Sequence, residues 1–376
     1  MTTLGNIEAS SLAALTFLDF ESGDILYLSG TAKNLVGQDA LKLMPRQNVL
    51  TTIHIEACIF VQDVFPIRQH PGSVVEKSPY CPPIRLLSEE LDQSGRLLDN
   101  VSLTLTGIEI HSPSLATFHF ESSSAISILP GQAAVLDFTR LFGKQQYAHM
   151  APGREASLND DRVRTWTVSS SHSSETRNFS LTMREKPDGL VTGGLFTLAR
   201  RVAKNMPHIL LDSRPLELSV DLLGISGSFT LPPIPSTRKL LWCAGGVGVT
   251  PFLSMLGSLN NGNIYDIIFV LSTNEPGVFI NLISRSIPTN LSFNIKFHLF
   301  TRQASYMDGG LTINKYLKVV EHKTRLDEGE LASISDNISE RLLYICGPPT
   351  FENLVIEALC NQGLNRDSVV REGFLY

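Results

Sequence analysis

The chain has 376 residues, 43% hydrophobic and 18% charged, with a formal net charge of -6. That length predicts more than one domain, and that composition predicts a globular fold rather than a disordered one. The acidic balance and the lack of any basic run exclude a nucleic-acid surface, and no apolar run reaches the length of a membrane span. Five scattered cysteines (Cys58, Cys81, Cys243, Cys346, Cys360) fit reduced thiols in a cytoplasmic setting. None stands in a C-x-x-C or C-x₄-C-x₂-C spacing, so no metal site is expected. Met1–Ser11 has neither a basic stretch nor an apolar core, so no signal peptide is expected.

In chain order, Leu12–Phe20 and Ile25–Gly30 are β-prone runs around a turn containing Gly23, which predicts a hairpin. Ile53–Val64 adds a third β-rich run, and Ser78–Arg85 is punctuated by proline like a linker. These strands are too few to bury a core of their own. Residues 1–85 therefore form a short β-rich segment with its linker.

Short alternating runs follow at Val101–Ile110, Leu115–Glu121, Leu129–Asp137, Val163–Ser170, Asn178–Arg184, Leu216–Val220 and Ser228–Leu231. Their close spacing predicts a small antiparallel β-barrel over 98–235, interrupted by a helix near Gly194–Asn205. From Lys239 the pattern changes. Apolar strands at Leu240–Cys243, Ile267–Leu271, Asn294–Phe300 and Leu342–Ile345 alternate with helical stretches at Pro251–Ser258, Val278–Ile287, Ile313–Val319 and Phe351–Cys360. That alternation predicts an α/β domain with a parallel sheet over 236–376. Glu321–Glu340 is charged and reads as a solvated loop and helix.

The most informative stretch is Leu240–Met255. A buried-strand run breaks into Gly245-Gly246-Val247-Gly248-Val249-Thr250-Pro251 and resumes as a helical pattern. Glycines allow a tight turn and let backbone N–H groups approach a pyrophosphate at a helix N-terminus. The pattern departs from G-x-G-x-x-G, and an ordinary glycine turn is the plain alternative.

Four further stretches complete a set: Arg164–Ser170, Pro187–Leu195, Tyr344–Pro349 and Arg371–Tyr376. In order and spacing the five resemble the ferredoxin–NADP reductase-like flavoprotein superfamily over about residues 98–376. The resemblance implies an FAD-binding barrel and an NAD(P)-binding domain. It gives Arg164 and Thr192-Gly193-Gly194, opened by Gly189, to the FAD pyrophosphate, and Thr167 to flavin N5. Trp166 stands where the family has tyrosine. Gly245, Gly246, Gly248 and Thr250 would hold the nicotinamide dinucleotide, and Cys346, Gly347 and Pro348 would border its ring. Glu372 and Phe374 match the family's C-terminal E-x-aromatic, with Phe374 on the flavin. Gly224–Phe229 resembles the loop joining the two domains, with a β-turn as the alternative.

Asn274 and Glu275 follow the second parallel strand, where an acid commonly reads ribose. Thr301 and Arg302 follow the third, where an arginine suits a 2′-phosphate. The choice between NADH and NADPH stays open, with Arg302 favouring NADPH. Gly23–Gly30 and Ser78–Pro83 are similar to the closing strands and linker of a pyridoxamine-phosphate-oxidase-like split barrel. The implied activity is hydride transfer from NAD(P)H to FAD N5, then electron transfer to an unidentified small molecule or redox protein. The alternatives are a catalytically idle nucleotide-binding fragment of a larger fusion, and a reductase component for a separate haem or oxygenase partner.

Overall fold

The structure is a computed structural model that describes residues 2–44, 49–70, 101–143, 160–187, 189–231, 239–259, 265–291, 294–303, 314–334 and 338–372. The chain divides into two compact units. The described part of the first lies in 2–70 and that of the second in 101–372.

The first unit holds helix α1 (Thr2–Ser10) and strands β1 (Leu12–Leu18), β2 (Ile25–Val36) and β3 (Val49–Val61), with short helix α2 (Gln38–Leu43) between β2 and β3. The strands form an antiparallel sheet in the order β1-β2-β3. Asp19 oversees the β1–β2 turn by accepting from the Glu21 N–H at 2.8 Å, and Gly23 in it takes a positive φ of 79°. The Pro-rich stretch 78–85 lies outside the described residues.

The second unit opens with the barrel: β4 (Val101–Ser112), β5 (Leu115–Ile126), β6 (Ala133–Asp137), short helix α3 (Thr139–Phe142), β7 (Val163–Thr167), β8 (Thr176–Arg184), helix α4 (Leu190–Asn205) and β9 (Ser219–Ser226). The strand order is β7-β6-β9-β4-β5-β8. A bridge between Val168 and Leu181 brings the two ends of that order together. Alternating inward residues such as Leu103, Leu105, Phe118, Phe120, Phe179 and Leu181 fill the interior. Each such side chain contributes about 1.5–3 kcal/mol on burial. Helix α4 packs Val191, Leu195, Phe196, Ala199 and Val202 onto this core.

Two expected barrel elements differ. Leu216 closes a short 3-10 turn (Arg214–Leu216), so the strand expected at Leu216–Val220 begins only at Ser219. Ser228–Leu231 is not a strand, and Gly224–Ser226, expected in a loop, belongs to β9. Leu222 and Ile225 are needed on the barrel interior, so the strand runs on to Ser226. The turn comes at Gly227, whose φ of 111° suits glycine. Phe229 then leaves the barrel and enters the next core, edge-on to Tyr344 at 5.3 Å.

The α/β part contains β10 (Lys239–Gly245), α5 (Thr250–Ser258), β11 (Asp266–Ser272), α6 (Pro276–Ser286), β12 (Ile295–Phe300), β13 (Leu317–His322), α7 (Glu328–Ile334), β14 (Leu342–Cys346), α8 (Pro349–Asn361) and β15 (Val369–Arg371). All strands are parallel, in the order β13-β12-β11-β10-β14-β15. The helix expected at Ile313–Val319 is corrected: Leu317–His322 is the edge strand β13, and Ile313 lies outside the described residues. Leu317 is buried and Lys318 exposed, a period of two rather than 3.6, and Val319 and Val320 are β-branched. No helix among the described residues is long and apolar enough to cross a membrane.

Candidate functional site

Parallel strands deliver their loops to one edge of the sheet. Here Gly245, Ser272, Phe300, Cys346 and Arg371 are the last residues of β10, β11, β12, β14 and β15. Strand β10 has the earlier-formed β11 on one side and the later β14 on the other, so the order reverses between β10 and β14. A crevice outside the strand ends at such a reversal is where open α/β sheets hold ligands.

The glycines between β10 and α5 fit that crevice for stated reasons. Gly246 has a φ of 56° and open space around its absent Cβ. A Cβ on Gly248 would lie 2.2 Å from the Cys346 carbonyl oxygen. One on Gly347 would lie 2.7 Å from the Phe351 ring, and one on Gly245 would press on Phe351 and Pro348 at 3.0 Å. The turn after β10 and the Cys346-Gly347-Pro348 turn after β14 therefore pack backbone to backbone. Thr250 is buried at the start of α5, with Pro251 in the first turn where its missing N–H costs nothing.

Glu372 follows β15 and reaches this edge. Its Oε1 accepts from the Thr167 hydroxyl of barrel strand β7 at 2.8 Å. Its Oε2 accepts from the Cys346 thiol at 3.4 Å. The three residues, far apart in sequence, thus meet where the barrel abuts the sheet edge. Burial pushes the Glu372 carboxyl up to about 7, against the hydrogen bonds from Thr167 and Cys346 that favour its ionised form, and nearby Glu352 adds a smaller upward push. Burial also drives the Cys346 thiol well above its ordinary range, helped by Glu372. Glu352, in the first turn of α8, accepts from the Gly347 N–H at 3.2 Å and holds that turn.

On the barrel, Thr165 and Thr167 alternate along β7 with Arg164 and Trp166. The Trp166 indole lies edge-on to Phe138 at 5.4 Å and is partly buried, which leaves part of the ring accessible. The Arg164 guanidinium is engaged by Asp160 at 2.6 and 3.0 Å and donates to its own neighbour's carbonyl, Val163, at 2.9 Å. Burial works against ionisation of Asp160, but hydrogen bonds from Arg164 and the Arg162 N–H outweigh it and hold the carboxyl below its ordinary range. Arg164 keeps about a third of its side chain exposed (33%).

At the start of α4, Gly189 is the N-cap and supplies no side-chain cap. Thr192 Oγ1 accepts from the Lys186 N–H at 3.1 Å, which leaves its hydroxyl hydrogen for another acceptor. Nothing lies within 4 Å of a Cβ built on Gly193, whereas one on Gly194 would lie 2.3 Å from the Phe142 ring. Gly194 is thus a packing glycine and Gly193 an open one.

Beside β11 and β12, the Thr273 N–H donates to the Phe300 carbonyl at 3.0 Å, so the loops after these strands are neighbours. Thr301 is buried, its N–H bonded to the His322 carbonyl at 3.1 Å and its hydroxyl accepting from the Gln303 N–H at 3.2 Å. Arg302 is exposed and makes no ion pair among the described residues. Glu275, which stands where an acid commonly reads ribose, is held by Arg184 from the end of β8. Phe374 and Gly373 lie outside the described residues.

Sequence reasoning missed Asp160, Glu352 and the Arg184–Glu275 pair. Asp160 had a local signal, a carboxylate four residues before Arg164. The pairing of Arg184 with Glu275 had none, since it exists only once barrel and sheet meet.

A closed antiparallel barrel with one capping helix, followed by a parallel sheet whose switch point faces a barrel strand, fixes the architecture. That succession of barrel and parallel sheet is the one the sequence resemblance implies. No family model matches the chain. It is 25% identical over 268 residues to the stachydrine N-demethylase reductase subunit Stc4 of Rhizobium meliloti (strain 1021), covering 70% of this chain. The chain spans 63% of that relative's length. Among solved structures it resembles the flavohem-like FAD/NAD-binding domain of nitric oxide dioxygenase from Vibrio cholerae O1 biovar El Tor, at 17% identity and a TM-score of 0.48, over 73% of this chain and 98% of that one. It also resembles a ferredoxin NADP+ reductase from Neisseria gonorrhoeae with bound FAD and NADP, at 15% identity and a TM-score of 0.46, over 72% of this chain and 97% of that one.

Proposed function

We propose that the chain is an FAD-dependent oxidoreductase that takes hydride from a nicotinamide dinucleotide and passes electrons to a separate acceptor. The observation that carries this is the largely buried Thr167–Glu372–Cys346 cluster at the β10–β14 switch point.

The residues fit a flavin dinucleotide. Open space at Gly193, the uncapped start of α4 and the free hydroxyl hydrogen of Thr192 make an anion cradle. Arg164 on β7 supplies a planar, permanently charged fork once it trades Asp160 for phosphate. Two separate phosphate devices favour FAD over FMN. Trp166 offers an aromatic face next to Thr167.

Bound flavin supplies the two-electron acceptance and stepwise release that no side chain here can supply. The protein's part is to hold, orient and exclude water. Thr167 fixes the ring edge through its hydroxyl. Glu372 holds a proton below pH of about 7 and relays it through that hydroxyl. Cys346 stays a neutral thiol, so it acts as a small donor and packing group for the nicotinamide and not as a nucleophile. Gly245, Gly246, Gly248 and Thr250 leave backbone exposed for the dinucleotide, Gly347 and Pro348 line its ring, and Thr301 with Arg302 meets its adenosine end. Phe374 is assigned the flavin face on the E-x-aromatic pattern alone.

Similarity to a protein named as the reductase subunit of a demethylase supports a protein acceptor. The test is spectroscopic. The purified chain is expected to carry FAD, identified after heat release, and to lose its flavin absorbance anaerobically on addition of NADH or NADPH. A preparation that holds FMN, or FAD that neither nucleotide bleaches, would overturn the reading.

A further inference from the structure

We propose that Arg184 sets nucleotide choice by withholding Glu275 from the ribose, so that the site accepts a 2′-phosphorylated dinucleotide. This rests on the nucleotide-binding reading above and adds a residue from the barrel to it.

The described starts of the loops after β11 and β12 are neighbours at the sheet edge, because the Thr273 N–H is bonded to the Phe300 carbonyl. A free carboxylate in the first loop would accept from both ribose hydroxyls and repel a 2′-phosphate. Glu275 stands in that loop, as the N-cap of α6. Its carboxylate is not free. Oε2 pairs with Arg184 Nη2, and the Ser112 side chain bonds it as well. Arg184 is itself fixed by donating from Nη1 to Ser114 Oγ at 2.8 Å. Burial opposes ionisation of Glu275, yet Ser112 and Arg184 outweigh it and keep the carboxyl below its ordinary range. Glu275 is thus an anion throughout the neutral range, with its charge cancelled and its lone pairs aimed at the barrel.

In the second loop Arg302 is exposed, with no ion pair among the described residues. Among the described residues of these loops and their barrel partner, two arginines stand against one carboxylate and leave a positive excess. A phosphate dianion fits that balance, and a ribose diol does not use it. Arg184 never needs to touch the nucleotide. It is a specificity-determining positioning residue acting through Glu275.

The experiment measures equilibrium binding of adenosine 2′,5′-bisphosphate and adenosine 5′-monophosphate to the full-length flavin-loaded protein by calorimetry, so no hydride transfer enters. The wild type is expected to bind the bisphosphate at least about tenfold more tightly, as one charge-assisted phosphate contact dictates. Arg184→Gln is expected to erase most of that preference by weakening the bisphosphate, with the monophosphate unchanged or tighter. Arg184→Gln combined with Glu275→Gln should restore it, since the repelling charge is gone. Equal weakening of both ligands in Arg184→Gln, or no recovery in the double variant, would show a purely structural ion pair and overturn the proposal. A wild type that favours the monophosphate overturns it while leaving the reductase reading intact. A wild type that binds neither ligand overturns both.

Discussion

Glu372 illustrates how a single carboxyl turns burial into pH dependence. Its folded value of about 7 lies above the ordinary 4.5. The folded state therefore keeps the proton that the unfolded chain sheds. The stabilisation is fully present below about pH 4.5 and is lost as pH rises through about 7. The spread corresponds to about 3 kcal/mol. Glu372→Gln cannot ionise, so its stability should stay flat between pH 5 and 8 on an order-of-magnitude view, while the wild type loses stability across that window. Denaturant midpoints across that range measure this. Parallel curves for the two proteins would mean that Glu372 is solvated in the folded state. The same substitution should also abolish the pH dependence of flavin reduction near neutrality, while Cys346→Ser should not. Thr167, Cys346 and Glu372 became candidates in the sequence only through their order within a resembling family. No local pattern announces that residues so far apart share hydrogen bonds.

The elements were legible where burial is two-sided. Leu240–Cys243 and Leu342–Ile345 read as continuous apolar runs because the parallel sheet covers both faces. Strand β13 was misread because an edge strand with Lys318, Glu321 and a half-exposed face offers only two or three apolar residues, too few to separate the two periods. The start of α4 was read a few residues late. Its opening residues, Leu190 to Gly193, have weak helix propensity at the glycine, and the cap side chain that would mark the start is absent. That weakness is itself testable. Gly193→Ala meets no atom within 4 Å and sits in a helix, so it should stabilise the apoprotein by about 0.5–1 kcal/mol. It should also weaken FAD, because the added methyl stands where the phosphate approaches the backbone. A thermal melt of the apoprotein and a flavin titration check the two signs. Tighter or unchanged FAD binding would remove α4 from the cofactor site. Gly194→Ala offers the contrast: it collides with Phe142 and should destabilise the protein whether or not flavin is present.

At the scale of the molecule, each described site residue lies in the second compact unit. A variant that begins at Gln93 is expected to fold, hold FAD and be reduced by nicotinamide at a rate close to that of the full chain. Stopped-flow reduction of the shortened protein is the measurement. Loss of reduction in a folded, flavin-loaded variant would place part of 1–92 in the catalytic machinery. The change from antiparallel barrel to parallel α/β sheet was legible because the hydrophobic period itself changes along the chain. The seam between barrel and sheet was not. It is built from single contacts, such as the Gly131 N–H donating to Ser254 Oγ at 2.8 Å and the Tyr344 hydroxyl donating to the Thr230 carbonyl at 2.9 Å. Neither leaves a pattern in the sequence.

The barrel's strand order has a consequence for how the protein is made. Its first strand, β4, pairs with its last, β9, through Val101↔Leu222 and Leu103↔Val220. Strand β6 also needs β9. During synthesis β4 and β5 can form a hairpin early, but one edge of β4 stays open until Ser226 has left the ribosome. Such late, non-local closure makes folding slow and exposes strand edges to neighbouring chains. Once β9 is in place, Phe229 follows directly, and its ring packs edge-on against Phe252 and Tyr344 in the second core. Completion of the barrel thus delivers the first aromatic of the sheet domain, and conditions that delay β9 should produce aggregates of both halves together.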